Sequence, residues 1–297
     1  MDFDSFLSRA WDQHAADAAG VAERLAAALD DPAPALVTDE EQITPLAHLV
    51  HHVYGAHLGR WADGRALLRR LAAHPACSAG GAASAALARF QASLALCEGA
   101  ADERAAMTAS DRIRVTALAA ANLAEHDTAR ASVLFSEAQA AADAAGLDAA
   151  DATHRALAVM GNNLAGTLEE KTSRTPAERE LMIAAAQAGR RYWALAGTWL
   201  ETERAEYRLA MTWLQAGDPA QARHHAQLCL ALVHDNGGVA LERFFGFEAL
   251  ALAERAAGNA AGHALAVAQA SVAFAALDEG DRGWCQPTLD KLQAFSA

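Results

Sequence analysis

Residues 203–238 read ERAEYRLAMTWLQAGDPAQARHHAQLCLALVHDNGG, and this stretch decides the fold. Apolar and small residues recur three and four positions apart on each side of the turn Gly217-Asp218-Pro219. This spacing places them on one face of each of two helices, and the glycine and proline break the chain between the helices. The stretch therefore predicts a helical hairpin, which is a pair of antiparallel helices packed face to face.

Similar hairpins are predicted on both sides of this stretch. One covers residues 112–146 and turns at His126-Asp127, and another covers residues 151–195, with Pro176 well placed as the first residue of its second helix. After residue 238 the last clear pair turns at Gly258-Asn259. The best-defined turns recur at a period of roughly 41 to 45 residues, which is typical of stacked helical repeats.

No segment alternates apolar and polar residues as a half-buried strand does. We therefore predict an all-α fold, an α-α superhelix or solenoid of about five or six antiparallel helix pairs. The whole chain, residues 1–297, is predicted to form a single repeat domain. Residues 1–110 are its divergent N-terminal helices, 111–280 its clearer repeats, and 281–297 a C-terminal capping segment.

Composition limits the class of partner. The formal net charge is −13, which repels phosphate backbones and argues against nucleic acid as a partner. No stretch reaches 18 apolar residues without a charge, and the N-terminus lacks the basic start and apolar run of a secretory signal. The four cysteines form no CxxC pair, which favours a reducing compartment. We expect a cytoplasmic protein that binds neither membrane nor nucleic acid.

The hairpins resemble the tetratricopeptide-repeat family, whose pattern is W-x2-L-G-x2-Y, then A-x3-F, then P, in a unit of about 34 residues. The segment Gly161-Asn162-Asn163-Leu164-Ala165 also resembles a run common in the longer repeats of that family. The chain departs from the pattern at Glu206, where the family prefers tryptophan, at Ala226, where it prefers phenylalanine, and in the length of its units. The positions that match are Leu209, Ala210, Trp213 and Ala222 in one unit, and Leu118, Ala119, Ala131 and Phe135 in another.

The resemblance implies a right-handed superhelix and a binding groove lined by the first helix of each pair. In this chain it implies that a protein or peptide segment is contacted by Asn162, Arg204, Tyr207, Met211 and Gln215. An arginine on such a wall can hold a carboxylate through two parallel hydrogen bonds. The alternative is that Arg204 pairs with Glu201 or Glu203 and that Met211 belongs to the core.

Histidines form the sharpest polar cluster. A helix predicted over residues 40–57 places an apolar stripe on one side and leaves His48, His51 and His52 on the opposite face. His48 and His52 are one turn apart and could share a metal, but a site needs a third ligand, which His14, Asp39 or Glu41 could supply only through folding. We predict no metal here, and interpret the three as solvated or groove-lining side chains; the alternatives are a ligand-contacting or pH-sensitive patch and a metal site.

Motifs of catalysis are missing, because the chain has no phosphate-binding glycine loop, no GxSxG and no HExxH. We predict a non-enzymatic scaffold or adaptor that takes a protein segment in its groove, needs no cofactor, and could also associate with a second copy of itself. The alternative is a small-molecule or metal-dependent sensor or enzyme that uses the cluster His48, His51 and His52. A third reading, a sensing module of a regulator, is disfavoured because no helix pair has a basic face for DNA.

Overall fold

The computed structural model describes residues 2–30, 36–100 and 102–294. Within these ranges every regular element is helical, as predicted, and no strand occurs. No helix in these ranges is long and apolar enough to cross a bilayer. The last three residues of the predicted capping segment, 295–297, lie outside the described residues.

The chain divides into two compact units, Met1–Asp148 and Ala149–Ala297. The prediction of one continuous domain over residues 1–297 stays a prediction. In the described parts of the two units there are fourteen α-helices, more than the ten to twelve that five or six pairs require. The surplus lies at the two ends, in the helices Phe3–Gln13, Ala18–Asp30 and Glu279–Ala294, which the spacing of apolar residues does not resolve into pairs.

The first unit has seven α-helices and three short turns of other helix types. Its core combines the inner faces of α1 to α5 around fully buried leucines such as Leu46, Leu68 and Leu87. One 3-10 turn, Glu40–Gln42, precedes α3, another, Glu103–Ala106, precedes α6, and a π-helical turn, Val53–His57, follows α3 directly. The helices are α1 (Phe3–Gln13), α2 (Ala18–Asp30), α3 (Ile43–His52), α4 (Trp61–Ala72), α5 (Ala82–Glu98), α6 (Ala109–Leu123) and α7 (Thr128–Ala144).

The second unit contains three successive helix pairs and a last helix. The pairs are α8 (Ala152–Glu169) with α9 (Pro176–Ala196), α10 (Trp199–Ala216) with α11 (Pro219–Asp235), and α12 (Ala240–Ala256) with α13 (Ala260–Ala275), followed by α14 (Glu279–Ala294). The apolar side of α14 packs on α12 and α13, where Cys285, Leu289 and Leu292 join a buried cluster.

The hairpin α10–α11 follows directly from its sequence. Gly217 adopts φ 82°, a left-handed conformation that ends α10 at little steric cost. Asp218 then caps α11 by accepting hydrogen bonds from the next turn, and Pro219 is its first residue. Of the predicted packing positions, Leu209, Ala210 and Ala222 are buried, whereas Trp213 is half-buried.

Helices α8 and α9 approach each other unusually closely at two glycines. A Cβ atom on Gly161 would lie 2.6 Å from the main-chain oxygen of Ala185 and 2.7 Å from the nitrogen of Gly189. Neither atom can rotate away, so only glycine fits this crossing. The segment that resembles the family's longer repeats therefore has a packing role in this chain.

Candidate functional site

Two regions contain the predicted site residues, one in each unit. In the second unit, α10 and α12 are the first helices of successive pairs, and they lie side by side. The guanidinium of Arg204 donates to Glu242 Oε1 at 2.7 Å, and the hydroxyl of Tyr207 donates to Glu248 Oε2 at 3.0 Å. Both acceptors are on α12, so these two side chains connect the helices, and Arg204 pairs with neither Glu201 nor Glu203.

An open depression of about 420 Å³ lies further along the same two helices. Met211 and Gln215 line it, and Gln215 accepts a hydrogen bond from Arg174 at 2.6 Å. Met211 also packs against a small buried cluster, so its side chain contributes both to the core and to the lining of the depression. The lining residues are Met211, Leu214, Gln215, Leu252, Arg255 and Ala256.

Asn162 is placed away from this surface. Its Oδ1 atom is buried and accepts no hydrogen bond from the described residues. A Cβ on Gly189 of α9 would lie 2.4 Å from that oxygen, which shows that the side chain faces the second helix of its own pair. Asn162 therefore does not join Met211 and Gln215 in the depression.

Buried charge surrounds the base of α10. Glu206, at the position where the family prefers tryptophan, accepts hydrogen bonds from Arg190 Nε at 2.5 Å and His225 Nδ1 at 2.7 Å. Cys229 Sγ donates to Glu203 Oε1 at 2.7 Å, and burial raises the pKa of Glu203 to about 7. These contacts satisfy the buried polar groups of α10.

In the first unit, His48, His51 and His52 were predicted to lie on the face of their helix opposite the apolar stripe, and this prediction is wrong for His51. That side chain is only 3% exposed, and its Nε2 atom lies 2.7 Å from Ser93 Oγ and 3.0 Å from Asn122 Nδ2. Burial lowers the pKa of His51 to about 3, so the ring is neutral at neutral pH. The prediction assumed one apolar face, whereas α3 packs against α1 on one side and α5 on another.

The structure brings His52 together with two other histidines. The ring centre of His14 lies 5.0 Å from that of His52 and 5.1 Å from that of His57, and the rings of His52 and His57 are 4.7 Å apart. Trp11 contacts both His14 and His52, and also the exposed His48. Burial and the neighbouring imidazoles lower the pKa of His52 to about 3, which keeps it neutral.

Each of the three rings can present a nitrogen to a common point. The ligating atoms of His14, His52 and His57 all lie within 4.8 Å of one another. In the described part of the chain they are the one such group of three or more histidine, cysteine or carboxylate side chains. We name this group the histidine triad. The sequence suggested His14 only as a ligand that folding would have to supply, and it did not pair His57 with His52.

The second pair considered in the sequence, His225 and Cys229, does not form a joint site. His225 Nδ1 donates a hydrogen bond to Glu206, whereas Cys229 Sγ donates one to Glu203. The predicted site residues therefore lead to two regions, the depression and the histidine triad. Comparison of this chain with protein-family models, with curated proteins and with solved structures finds no match.

Proposed function

We propose that the protein is a non-enzymatic, cytoplasmic scaffold that binds an extended segment of a partner protein in the depression between α10 and α12. The observation that carries the proposal is this open space of about 420 Å³ between the first helices of two successive pairs. We further propose that the pairs of the second unit stack as the repeats of a solenoid, since repeat proteins use such surfaces for binding.

The depression suits a particular kind of segment. Its floor is apolar, since Met211, Leu214, Leu252 and Ala256 line it, and it can take one apolar side chain. The exposed Arg255 at its edge carries a guanidinium with five donors, so besides the contact that it already makes it can hold a carboxylate. The proposed partner segment therefore carries an apolar residue followed by an acidic residue or by a chain terminus.

The other predicted groove residues have a supporting role in this proposal. The hydrogen bonds from Arg204 and Tyr207 to α12 fix the spacing of the two helices, and this spacing sets the width of the depression. A preformed site avoids the cost of ordering its walls on binding. Met211 and Gln215 contact the segment, whereas Arg204 and Tyr207 hold the walls.

A peptide array tests the proposal. The probes are extended peptides with one central leucine followed by aspartate, by lysine or by an amidated end. We expect the aspartate series to bind with a Kd in the micromolar range, and the lysine series to bind about tenfold more weakly.

Two alanine-to-glutamate variants provide the matched comparison. Ala256→Glu fills the depression and adds a negative charge, so it should raise the Kd of the aspartate peptides at least tenfold. A tenfold rise is a loss of about 1.4 kcal/mol of binding free energy. Ala264→Glu makes the same change on an exposed position of α13 and should leave binding unchanged. Peptides that bind both variants equally well would exclude the depression as the binding site.

A further inference from the structure

The histidine triad joins two segments that are far apart in the chain. His14 is the residue that ends α1, whereas His52 ends α3 and His57 ends the π-helical turn that follows it. Nothing in local sequence requires α1 to place an imidazole over the end of α3. The ligating atoms of all three nevertheless lie within 4.8 Å of one another.

The π-helical turn is what aligns His52 with His57. In an α-helix, side chains five residues apart point about 140° away from each other around the axis, so the rings of His52 and His57 would lie on different faces. In the π-helical turn the hydrogen bonds run from residue i to i+5, as from Leu58 N to Val53 O at 3.1 Å, and five residues bring the chain back to almost the same side. The Nε2 atoms of His52 and His57 lie 3.1 Å apart as a result.

The turn is held by contacts outside the triad. Trp61 Nε1 donates to the carbonyl oxygen of Gly55 at 3.1 Å, and Arg60 N donates to Tyr54 O at 2.9 Å. Gly55 itself is buried, and a Cβ there would lie 2.8 Å from the amide nitrogen of Asn122. The packing of the first unit thus fixes the geometry of the two histidines in advance.

The hydrogen bond of His14 decides which of its nitrogens faces the other two rings. Its Nδ1 atom contacts the carbonyl oxygen of Trp11. A carbonyl oxygen only accepts, so Nδ1 carries the hydrogen and the lone pair is on Nε2. Metal-ligating histidines characteristically donate their second nitrogen to a carbonyl or carboxylate in this way.

We propose that His14, His52 and His57 form a binding site for one divalent transition-metal ion of the zinc class. Three imidazole nitrogens without a carboxylate suit zinc, copper or nickel and disfavour calcium and magnesium. In a tetrahedral site with Zn–N bonds near 2.0–2.1 Å, ligand nitrogens are about 3.3 Å apart, close to the distance between His52 and His57. The described chain supplies three ligands, so the fourth position is for water or an added ligand.

Metal binding requires a change of hydrogen position, and it draws the three ligating atoms, now within 4.8 Å of one another, toward the separation of about 3.3 Å that a tetrahedral site needs. Between His52 and His57 one Nε2 atom now donates its hydrogen to the other. The ion takes the place of that hydrogen, and the donating ring carries its hydrogen on Nδ1 instead. His14 already has the required form.

Titration of the full chain with Zn²⁺ tests the site. The protein is prepared without a histidine tag, stripped with a chelator and titrated calorimetrically in a buffer that does not coordinate metal. We expect one equivalent to bind with a Kd in the micromolar range or tighter, and Co²⁺ to give the visible absorption of a four-coordinate nitrogen site. Less than half an equivalent of Zn²⁺ bound at saturation would overturn the proposal.

Histidine-to-glutamine variants then identify the ligands. His14→Gln and His57→Gln should weaken Zn²⁺ binding at least tenfold, because each removes one of three bonds to the ion. His48→Gln, which lies beside the triad, and His224→Gln, which lies in the other unit, should change the Kd by less than about twofold. This pair of controls also separates the triad from the predicted cluster of His48, His51 and His52.

His14 follows the last residue of α1, outside α3 and the π-helical turn, so His14→Gln leaves the segment that holds the other two ligands unchanged. Its metal-free melting temperature should equal that of the wild type. Zn²⁺ that binds this folded variant as tightly as wild type would show that the ion is held elsewhere.

Discussion

Replacing Gly161 by alanine should loosen the pair α8–α9. The added Cβ would lie 2.6 Å from Ala185 O, 2.7 Å from Gly189 N and 2.9 Å from Gly189 Cα, whereas ordinary contacts begin near 3.4 Å. All three atoms belong to the main chain of α9, so the helices must separate by most of an ångström. No change of side-chain rotamer can relieve the contact.

Two effects of opposite sign set the magnitude. Removing a glycine from a helix interior stabilises the folded state by about 1 kcal/mol. Overpacking a close helix crossing costs about 3 kcal/mol, at the upper end of the usual range because the contacts are with main-chain atoms. We therefore expect Gly161→Ala to lower the free energy of unfolding of the second unit by about 2 kcal/mol, which is a fall in Tm of about 4–8 °C.

Gly166→Ala is the matched control, since it makes the same change on the same helix. The nearest atoms to a Cβ at Gly166 belong to the guanidinium of Arg208, at 3.6 Å and beyond. This is ordinary contact, so the variant should gain roughly 0.5–1 kcal/mol. Urea unfolding followed by circular dichroism measures both variants. Equal effects of the two substitutions, or a Gly161→Ala protein as stable as the wild type, would refute the close crossing.

Three further predictions concern buried ionisable groups and a helix cap. Burial raises the pKa of Glu203 to about 7, so the stability due to its protonated form is complete below pH 4.5 and is lost as the pH rises through 7. Because glutamine does not titrate, the free energy of unfolding of Glu203→Gln, measured in urea at pH 8, should exceed that of the wild type by up to about 3 kcal/mol. Burial lowers the pKa of His51 to about 3, so the unfolded chain binds more protons than the folded chain between pH 3 and 6.5, and the wild type loses stability as the pH falls. His51→Gln should reduce the slope of the free energy of unfolding against pH by about 1.4 kcal/mol per pH unit between pH 6 and 4. An unchanged slope would contradict the burial of His51. Thr175 caps α9 together with Glu178, so Thr175→Ala should cost about 1 kcal/mol by thermal unfolding, and no measurable loss would count against the cap.

The helices that could be predicted from the sequence are those with strong local signals. The turn Gly217-Asp218-Pro219 combines a left-handed glycine, a capping aspartate and a proline at the first helical position, so its two helices required no tertiary information. The first 110 residues have fewer such signals. There the predicted helix over residues 40–57 proved to be a 3-10 turn, an α-helix and a π-helical turn in succession.

The candidate sites were harder to predict because they depend on which segments meet. The spacing of His48, His51 and His52 describes a single helix, and it predicts that all three are exposed only if that helix buries one face. Packing on a second side buries His51 instead. His14 reaches His52 only through the placement of α1, and no periodicity in the sequence carries that information.

Arg204 gives a similar lesson in the second unit. Local spacing suggested Glu201 or Glu203 as its partner, three positions or one position away on the same helix. The observed partner, Glu242, is 38 residues further along the chain on α12. Charge pairs across neighbouring repeats depend on how the repeats stack, which a single helix cannot specify.

The π-helical turn Val53–His57 makes the histidine triad depend on chain length as much as on composition. Deleting one residue between His52 and His57, such as Ala56, would let the ordinary α-helical pattern continue and would leave the two histidines four residues apart, only about 40° around the axis. Inserting one residue there instead would carry the second ring to about 240° in an α-helix, so a single added codon would abolish the alignment while every histidine remained in the sequence. Among related chains, the number of residues between the two histidines would therefore distinguish aligned from unaligned triads better than a count of histidines.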